Sequence, residues 1–277
     1  MQIPGMEEII RLALSEDLSG GDVTTLSTVP EGNTSRGKFI AKEPLTVCGL
    51  PALIRVFALV DERVVVTPLV SDGAEVQKGD VIATIEGPAR GILTGERTAL
   101  NFLQRLSGVA TKTREAVRRV EGTNAVIVDT RKTTPGMRGL EKYAVRMGGG
   151  VNHRTGLYDG VLIKDNHIRA AGGITQAIRN ACAHAHHLLK IEVEVESFEQ
   201  LEEALQAKAD TIMLDNMSLA DMAEAVRRIN GRALTEASGN MGEQDLGEVA
   251  KTGVDIISIG ALTHSARAMD ISLRFEW

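Results

Sequence analysis

The feature that most restricts the fold is an alternation, from Asn124 onward, of short β-branched runs with helical segments. Two intervening segments, 197–208 and 218–229, each open with Ser and carry apolar residues at helical spacing, as capped amphipathic helices do. Such alternation favours parallel strands with crossover helices, and six units predict an α/β fold built on an incomplete β/α barrel. The six runs lie at 125–129, 160–164, 190–196, 211–215, 233–238 and 255–260.

The first hundred residues have a different pattern and predict a separate module. A helix is expected near 5–16 and β-rich segments follow it. A longer helical pattern over 95–120 would lead into the barrel, and Gly108 weakens a continuous helix there by about 1 kcal/mol, which leaves a break open. We expect domains at 1–100 and 101–265, with 266–277 returning to the first.

Composition excludes some classes of partner. Aromatic residues make up 3% of the chain, too few for base-stacking platforms, and the net charge is −6, so nucleic acid is not expected as a partner. No basic segment precedes an apolar run, and no apolar run approaches the length of a membrane span, so we expect a cytoplasmic enzyme that binds no membrane. Any site for a strongly negative substrate must arise from local clusters of Lys and Arg.

The predicted strands end in polar residues. Active sites of β/α barrels lie at the C-terminal ends of the strands. Period-two alternation in 190–196 places Glu192, Glu194 and Glu196 on one face, which we expect to point into the barrel. Buried carboxylates require cations or a metal, although an ion-pair layer that satisfies itself is the alternative. The polar residues at the other strand ends are Thr130, Arg131, Lys132, Lys164, Asp165, Asp215, Glu236 and Ser238.

A basic cluster spans 131–154 and indicates an anion site. Its cations are Arg131, Lys132, Arg138, Lys142, Arg146 and Arg154, together with His153. Lys142 and Arg146, four apart in a predicted helix, are expected to be solvated helix charges. Arginine suits bidentate binding of carboxylates, and lysine serves phosphate as a point charge. Phosphates facing acidic strand ends would also suit a bridging Mg²⁺.

Two loops near the C-terminus have the composition of phosphate-binding turns. Ser238, Gly239 and Asn240 follow one predicted strand and precede a helix, where backbone N–H groups can bind an anion. Gly260 and His264 lie in the next such loop. Phosphate sites in the last two loops are common in barrels, but Gly-rich turns also serve as tight connections.

At these residues the chain resembles the quinolinate phosphoribosyltransferase family. Together the matching segments span most of 95–277 in the expected order, whereas the first ninety residues match more loosely. The segments are GERTALNFLQRLSGVAT at 95–111, TRKTTPGMRGLEKYAVRMGGGVNHRTGLYDGVLIKDNH at 130–167, IEVEVES at 191–197, IMLDNM at 212–217, EASG at 236–239 and IGALTHSA at 259–266.

The resemblance implies an N-terminal α/β sandwich, an incomplete barrel and a homodimer, or an assembly of dimers, in which each sandwich covers the partner's barrel. It also implies quinolinate and phosphoribosyl pyrophosphate as substrates, with nicotinate mononucleotide, pyrophosphate and CO₂ as products in de novo NAD biosynthesis. Lys132, Lys164, Glu194 and Asp215 would be the catalytic residues.

The resemblance further implies a set of binding residues. The quinolinate carboxylates would be surrounded by Arg131, His153, Arg154 and Lys164, with Arg97 from the neighbouring subunit. Lys132 and Lys164 would meet the pyrophosphate, and Glu194 and Asp215 would hold the ribose hydroxyls and Mg²⁺. The 5′-phosphate would bind Ser238, Gly239, Gly260 and His264.

One departure affects the phosphate loop. The family usually has two glycines after the serine, whereas this chain has Gly239 and Asn240. Because Asn tolerates positive φ better than most residues, the loop conformation is expected to survive.

Two other functions remain open at this point. One is a paralogous phosphoribosyltransferase with another nitrogenous acceptor. The other is a barrel aldolase in which Lys164 forms a Schiff base, although the adjacent Asp165 does not give the apolar surroundings that such a lysine needs.

Overall fold

The computed structural model describes residues 3–276, which form two compact units. The first unit contains the residues up to Arg114, Thr133–Gly149 and the residues from Thr263 on. The second contains Glu115–Lys132 and Gly150–Leu262. Each unit draws on more than one stretch of the chain. The contiguous domain ranges 1–100 and 101–265 stay a prediction.

The chain contains both helices and strands throughout. The helices are α1 (Met6–Leu18), α2 (Val23–Thr28), α3 (Leu50–Val60), α4 (Ala89–Arg119), α5 (Arg138–Met147), α6 (Asp165–Ala171), α7 (Ile174–His184), α8 (Phe198–Gln206), α9 (Leu219–Ile229), α10 (Leu246–Lys251) and α11 (Ala261–His264). The strands are β1 (Thr34–Ala41), β2 (Leu45–Thr46), β3 (Val65–Pro68), β4 (Glu75–Val76), β5 (Val81–Pro88), β6 (Val126–Val128), β7 (Val161–Ile163), β8 (Ile191–Val195), β9 (Thr211–Asp215), β10 (Leu234–Ser238), β11 (Ile256–Ser258) and β12 (Ile271–Glu276).

The first unit is built on an antiparallel sheet with the strand order β12-β1-β5-β3. Alternate residues of β1 are buried, and Phe39 lies with its ring centroid 6.2 Å from that of Phe57 on α3. β12 pairs antiparallel with β1, so the C-terminal segment completes the edge of this sheet. Trp277, the last residue of the segment expected to return here, lies outside the described residues.

Helix α4 is continuous through Gly108, so the break left open by the sequence does not occur. A Cβ atom at position 108 would overlap the backbone carbonyl oxygen of Arg267. The glycine therefore permits a close approach of the C-terminal segment to the helix, which outweighs its poor helix propensity.

The second unit confirms the predicted alternation. Its six strands are parallel and follow the order β6-β11-β10-β9-β8-β7, with β6 and β7 at the two edges. Ser197 and Ser218 cap α8 and α9, each accepting a hydrogen bond from a backbone N–H in the first turn. The sheet and its crossover helices form the incomplete β/α barrel.

Membrane insertion of a helix is not indicated. Between residues 3 and 276, no helix combines the length and the apolar character that crossing a bilayer requires.

Candidate functional site

A cavity of about 280 Å³ lies at the C-terminal ends of the parallel strands in the second unit. It brings together six of the predicted site residues, namely Arg131, Lys132, His153, Arg154, Lys164 and Ser238. The remaining lining residues are Thr130, Leu162, Met213, Glu236 and Ser258. A second cavity of about 530 Å³ shares Arg131, Arg154 and Lys164 and extends towards His167.

Arg131 and Arg154 supply the positive charge of this cavity. The Nε atoms of both guanidinium groups are buried and have no hydrogen-bond partner among residues 3–276. Burial lowers the pKa of Arg154, and the charge of Arg131 lowers it further. A bound carboxylate would satisfy the two Nε donors and reduce the repulsion between the guanidinium groups.

Lys164 directly follows β7 and forms an ion pair across the strand ends. Its Nζ lies 2.6 Å from Oε2 of Glu194 on β8, and 46% of the lysine side chain is exposed. A Schiff-base lysine needs an apolar environment that depresses its pKa. The carboxylate partner and the exposure disfavour that chemistry.

Glu194 and Asp215, the predicted metal ligands, lie on the neighbouring parallel strands β8 and β9. Both are partly exposed. Asp215 accepts a hydrogen bond of 2.7 Å from Nδ2 of Asn216, whose own backbone N–H donates to the carbonyl of Ser238. Asn216 therefore links the ends of β9 and β10.

A different set of side chains forms the compact group of potential metal ligands. His153, Glu192 and Glu236 have ligand atoms within 4.8 Å of one another, and in the part of the chain that the structure describes no other such group occurs. Nε2 of His153 lies 3.1 Å from Glu192 and 3.5 Å from Glu236, while Nδ1 accepts the backbone N–H of Arg154 at 2.8 Å. The ring is thus bound on both sides by the protein.

Burial and hydrogen bonding shift the pKa values of His153 and Glu192 in opposite directions. Burial lowers the pKa of His153, but hydrogen bonds from the ring to Glu192 and Glu236 have the larger combined effect and raise it. Acceptance of the Arg154 N–H at Nδ1 opposes a second ring proton. Burial raises the pKa of Glu192 to about 7, although its hydrogen bond with His153 lowers it.

Sequence reasoning placed Glu192 inside the barrel and Glu236 at a strand end, but it gave neither a role. The alternation in β8 was the only available signal, and it is confirmed by the burial of Ile191, Val193 and Val195 on the opposite face. Glu192 is buried and Glu194 partly exposed, while Glu196 is exposed at the end of the strand. The alternative of an ion-pair layer that satisfies itself is not met here, because Glu192 and Glu236 each keep one buried oxygen with no partner among the described residues.

The predicted phosphate loop has consecutive positive φ angles. Gly239 has φ +93° and Asn240 has φ +52°. Asn240 therefore adopts the left-handed conformation, which asparagine was expected to tolerate here in place of the family's second glycine. The side chain of Asn216 packs against Gly239 where a Cβ atom would lie. Helix α10 begins only at Leu246, so any anion bound here would meet loop N–H groups, not the first turn of the following helix.

Several predicted site residues lie outside this cavity. Arg97 lines a separate cavity of about 300 Å³ in the first unit, together with Glu16 and Asp17. His264 also belongs to the first unit, whereas Gly260 follows β11 in the second.

The basic cluster of 131–154 is divided between the two units. Arg138, Lys142 and Arg146 lie on α5 in the first unit. Arg146 is exposed as expected, but the prediction that Lys142 is solvated is wrong, since only 3% of the residue is exposed. Six consecutive residues of α5, 140–145, are buried, so this stretch is covered around more than a full turn and Lys142 has no solvated face.

Comparison with known proteins gives a consistent family assignment. The family model described as "Quinolinate phosphoribosyl transferase, C-terminal domain" matches residues 109–274, and the corresponding N-terminal domain model matches residues 22–107. A probable nicotinate-nucleotide pyrophosphorylase (carboxylating) of Bacillus subtilis is 45% identical over 268 residues, covering 97% of this chain and 92% of that protein. The nicotinate-nucleotide pyrophosphorylase (carboxylating) of Mycobacterium leprae is 46% identical over 274 residues, with coverages of 96% and 95%.

Solved structures agree with the sequence matches. The nicotinate-nucleotide pyrophosphorylase of Francisella tularensis superposes with a TM-score of 0.95 at 40% identity, covering 100% of this chain and 98% of that one. The enzyme of the same name from Ehrlichia chaffeensis gives a TM-score of 0.93 at 42% identity, with coverages of 97% and 98%.

Proposed function

Because the chain belongs to the quinolinate phosphoribosyltransferase family, we propose that the cavity at the strand ends of the second unit is the site where its reaction takes place. The enzyme is a decarboxylating phosphoribosyltransferase of NAD biosynthesis. It converts quinolinate and phosphoribosyl pyrophosphate to nicotinate mononucleotide, pyrophosphate and CO₂.

The observation that carries the placement is a pair of guanidinium groups whose buried Nε atoms have no partner in the part of the chain that the structure describes. Arg131 and Arg154 meet in one cavity of a chain whose net charge is −6. Water lost from the two quinolinate carboxylates would be replaced by charge-assisted hydrogen bonds. His153 and Lys164 line the same cavity and add donors that hold the pyridine ring in one orientation.

The phosphoribosyl group is assigned to the neighbouring strand ends. Lys132 and Lys164 would neutralise the pyrophosphate, and Glu194 and Asp215 would accept the ribose hydroxyls. The 5′-phosphate would meet the backbone N–H groups of Ser238, Gly239 and Asn240, which the two consecutive positive φ angles support. Gly260 and His264 are assigned to the same phosphate through the family resemblance.

The carboxylates at these strand ends suit Mg²⁺ better than the group of His153, Glu192 and Glu236 does. Mg²⁺ prefers carboxylate oxygens, whereas a set that includes an imidazole nitrogen suits transition metals. Glu194 and Asp215 offer carboxylates on adjacent strands and would hold the ion. When bound, Mg²⁺ neutralises negative charge on the pyrophosphate.

The residues of the cavity would contribute mainly orientation and electrostatics. Displacement at the anomeric carbon develops positive charge on the ribose, which the carboxylates of Glu194 and Asp215 would stabilise. The quinolinate carboxylates, held by Arg131 and Arg154, would keep the ring nitrogen in line with that carbon. The positive charge of the resulting pyridinium can stabilise the electron pair left on the ring carbon as CO₂ leaves, and that carbon then takes up a proton from solvent, so no pyridoxal or thiamine cofactor is required.

Assembly as a homodimer, or as a larger assembly of dimers, is also proposed. The support is that Arg97 is exposed on the first unit, as a residue acting in a neighbouring subunit must be. In such a dimer Arg97 of one subunit would reach the quinolinate bound by the other. The predicted cytoplasmic location stays a prediction.

The experiment that tests the proposed function supplies purified protein with quinolinate, phosphoribosyl pyrophosphate and Mg²⁺. We expect nicotinate mononucleotide and CO₂ in equal amounts, with neither formed when phosphoribosyl pyrophosphate is omitted. A parallel reaction with nicotinate tests for a paralogous acceptor. Turnover of nicotinate and not of quinolinate would contradict the proposal.

A further inference from the structure

The segment that carries Arg154 has no regular secondary structure of its own. Asn152, His153 and Arg154 lie between the isolated bridge of Val151 with Val128 and the bend at 155–159. A guanidinium group can select a planar carboxylate only if its backbone is held in place. Other parts of the barrel must therefore supply that restraint.

Asp129 holds the backbone of this segment. It directly follows β6 and is fully buried. One carboxylate oxygen accepts the backbone N–H of His153 at 2.9 Å, and the other accepts Nδ2 of Asn152 at 2.6 Å. A single buried carboxylate thus determines where two consecutive residues lie.

Glu192 and Glu236 hold the imidazole of His153 from the opposite side. Their Oε2 atoms lie 3.1 Å and 3.5 Å from Nε2, and they come from β8 and β10, with β9 between them in the sheet. Nδ1 of the same ring accepts the backbone N–H of Arg154 at 2.8 Å. Through the His153 ring, the carboxylates on β8 and β10 therefore constrain the backbone of Arg154.

The charge of this group also opposes the repulsion between the two arginines. The nearby charge of Arg131 lowers the pKa of Arg154, and that of Glu192 raises it. Buried carboxylates destabilise the fold unless nearby cations or hydrogen-bond donors compensate their charge. Here the carboxylates can compensate the positive charge of the arginines, which must stay charged in a partly buried cavity.

We propose that Asp129, Glu192 and Glu236 form a carboxylate frame that positions Asn152, His153 and Arg154 to receive the quinolinate carboxylates. The inference rests on the proposed function. It assigns to these three residues a positioning role specific to one of the two substrates.

Two substitutions that preserve side-chain size test the frame. In Asp129→Asn the amide can accept only through one atom, so one of the two donors loses its partner. In Glu236→Gln the carbonyl oxygen still accepts from Nε2, but the negative charge is removed. We expect the KM for quinolinate to rise about tenfold in each, and the KM for phosphoribosyl pyrophosphate to stay within about twofold.

Glu196→Gln is the matched control, because Glu196 follows the same strand as Glu192 but is exposed. It should leave both KM values unchanged. Thermal unfolding midpoints identify a variant that fails to fold, and Asn152→Ala then replaces it, since it removes one donor to Asp129 and leaves the buried carboxylates intact. That variant should raise the quinolinate KM about threefold.

The outcomes separate the inference from the proposed function. Folded variants with an unchanged quinolinate KM, or with equal rises in both KM values, would overturn the positioning role. Absence of quinolinate turnover in the unsubstituted protein would instead contradict the proposed function itself.

Discussion

At the scale of single residues, Arg131 and Arg154 differ from the other arginines of the basic cluster in their surroundings. Both line the cavity and keep a buried Nε donor with no partner in the described range 3–276, whereas Arg146 is exposed on α5. A buried donor that the protein leaves unsatisfied is costly unless a ligand completes it. We therefore propose that these two side chains bind quinolinate.

Arg154→Ala should lower kcat/KM for quinolinate about 100- to 1000-fold, since a buried charge-assisted contact contributes about 3–4 kcal/mol. Steady-state kinetics give the loss, and circular dichroism shows whether the fold is intact. Arg146→Ala removes an exposed arginine of the same cluster and should leave the kinetics unchanged. Near-normal turnover in Arg154→Ala would remove Arg154 from the substrate site.

The phosphate loop supports a second prediction at this scale. Asn240 has φ +52°, which costs an alanine about 1 kcal/mol and costs glycine nothing. Asn240→Ala should therefore raise the KM for phosphoribosyl pyrophosphate about fivefold, whereas Asn240→Gly should stay close to the unsubstituted protein. Equal behaviour of the two variants would show that the loop conformation does not matter for this substrate.

At the scale of elements, the alternation of strands and helices in the second unit could be predicted because it depends on local patterns. Each β-branched run contains one observed strand, and Ser197 and Ser218 cap the helices that they were expected to open. These features follow from side-chain periodicity and capping, which are visible in a short stretch of sequence.

Features that depend on distant contacts could not be predicted in the same way. The need for glycine at position 108 inside α4 comes from the nearby carbonyl of Arg267, and the burial of Lys142 depends on what packs against α5. The same limit applies to the candidate site. The sequence indicated Arg131, His153 and Arg154. The hydrogen bond from the backbone N–H of His153 to Asp129 is a tertiary contact, which no local sequence pattern predicts.

The packing of α4 gives a prediction about stability. Gly108→Ala gains helix propensity of about 1 kcal/mol, but its Cβ must displace the carbonyl of Arg267. We expect a net loss of about 2 kcal/mol in the free energy of unfolding, measured by urea denaturation. Gly32→Ala is the control, because a Cβ there meets no atom within 4 Å, and it should be nearly neutral. A stabilised Gly108→Ala would contradict the close approach.

At the scale of the whole molecule, the proposed dimer makes a prediction about mixtures. If Arg97 acts in the neighbouring subunit, Arg97→Ala and Arg154→Ala damage different halves of each site. Mixing and reassembling the two inactive variants should restore about a quarter of the unsubstituted activity, because half of the dimers are hybrids with one intact site of two.

A second mixture provides the control. Arg131 and Arg154 line the same cavity of one unit, so Arg131→Ala with Arg154→Ala leaves no intact site in any hybrid and should recover no activity. Recovery in neither mixture, with dimers present, would contradict the shared site.

The central claim is that the guanidinium groups of one cavity receive the two carboxylates of quinolinate. A crystal structure of the protein with quinolinate bound measures this directly. We expect both carboxylates within hydrogen-bond distance of Arg131 and Arg154, with the buried Nε atoms of the two arginines now partnered. Quinolinate bound instead near Arg146 on α5, with the buried Nε atoms of Arg131 and Arg154 still lacking a partner, would contradict it.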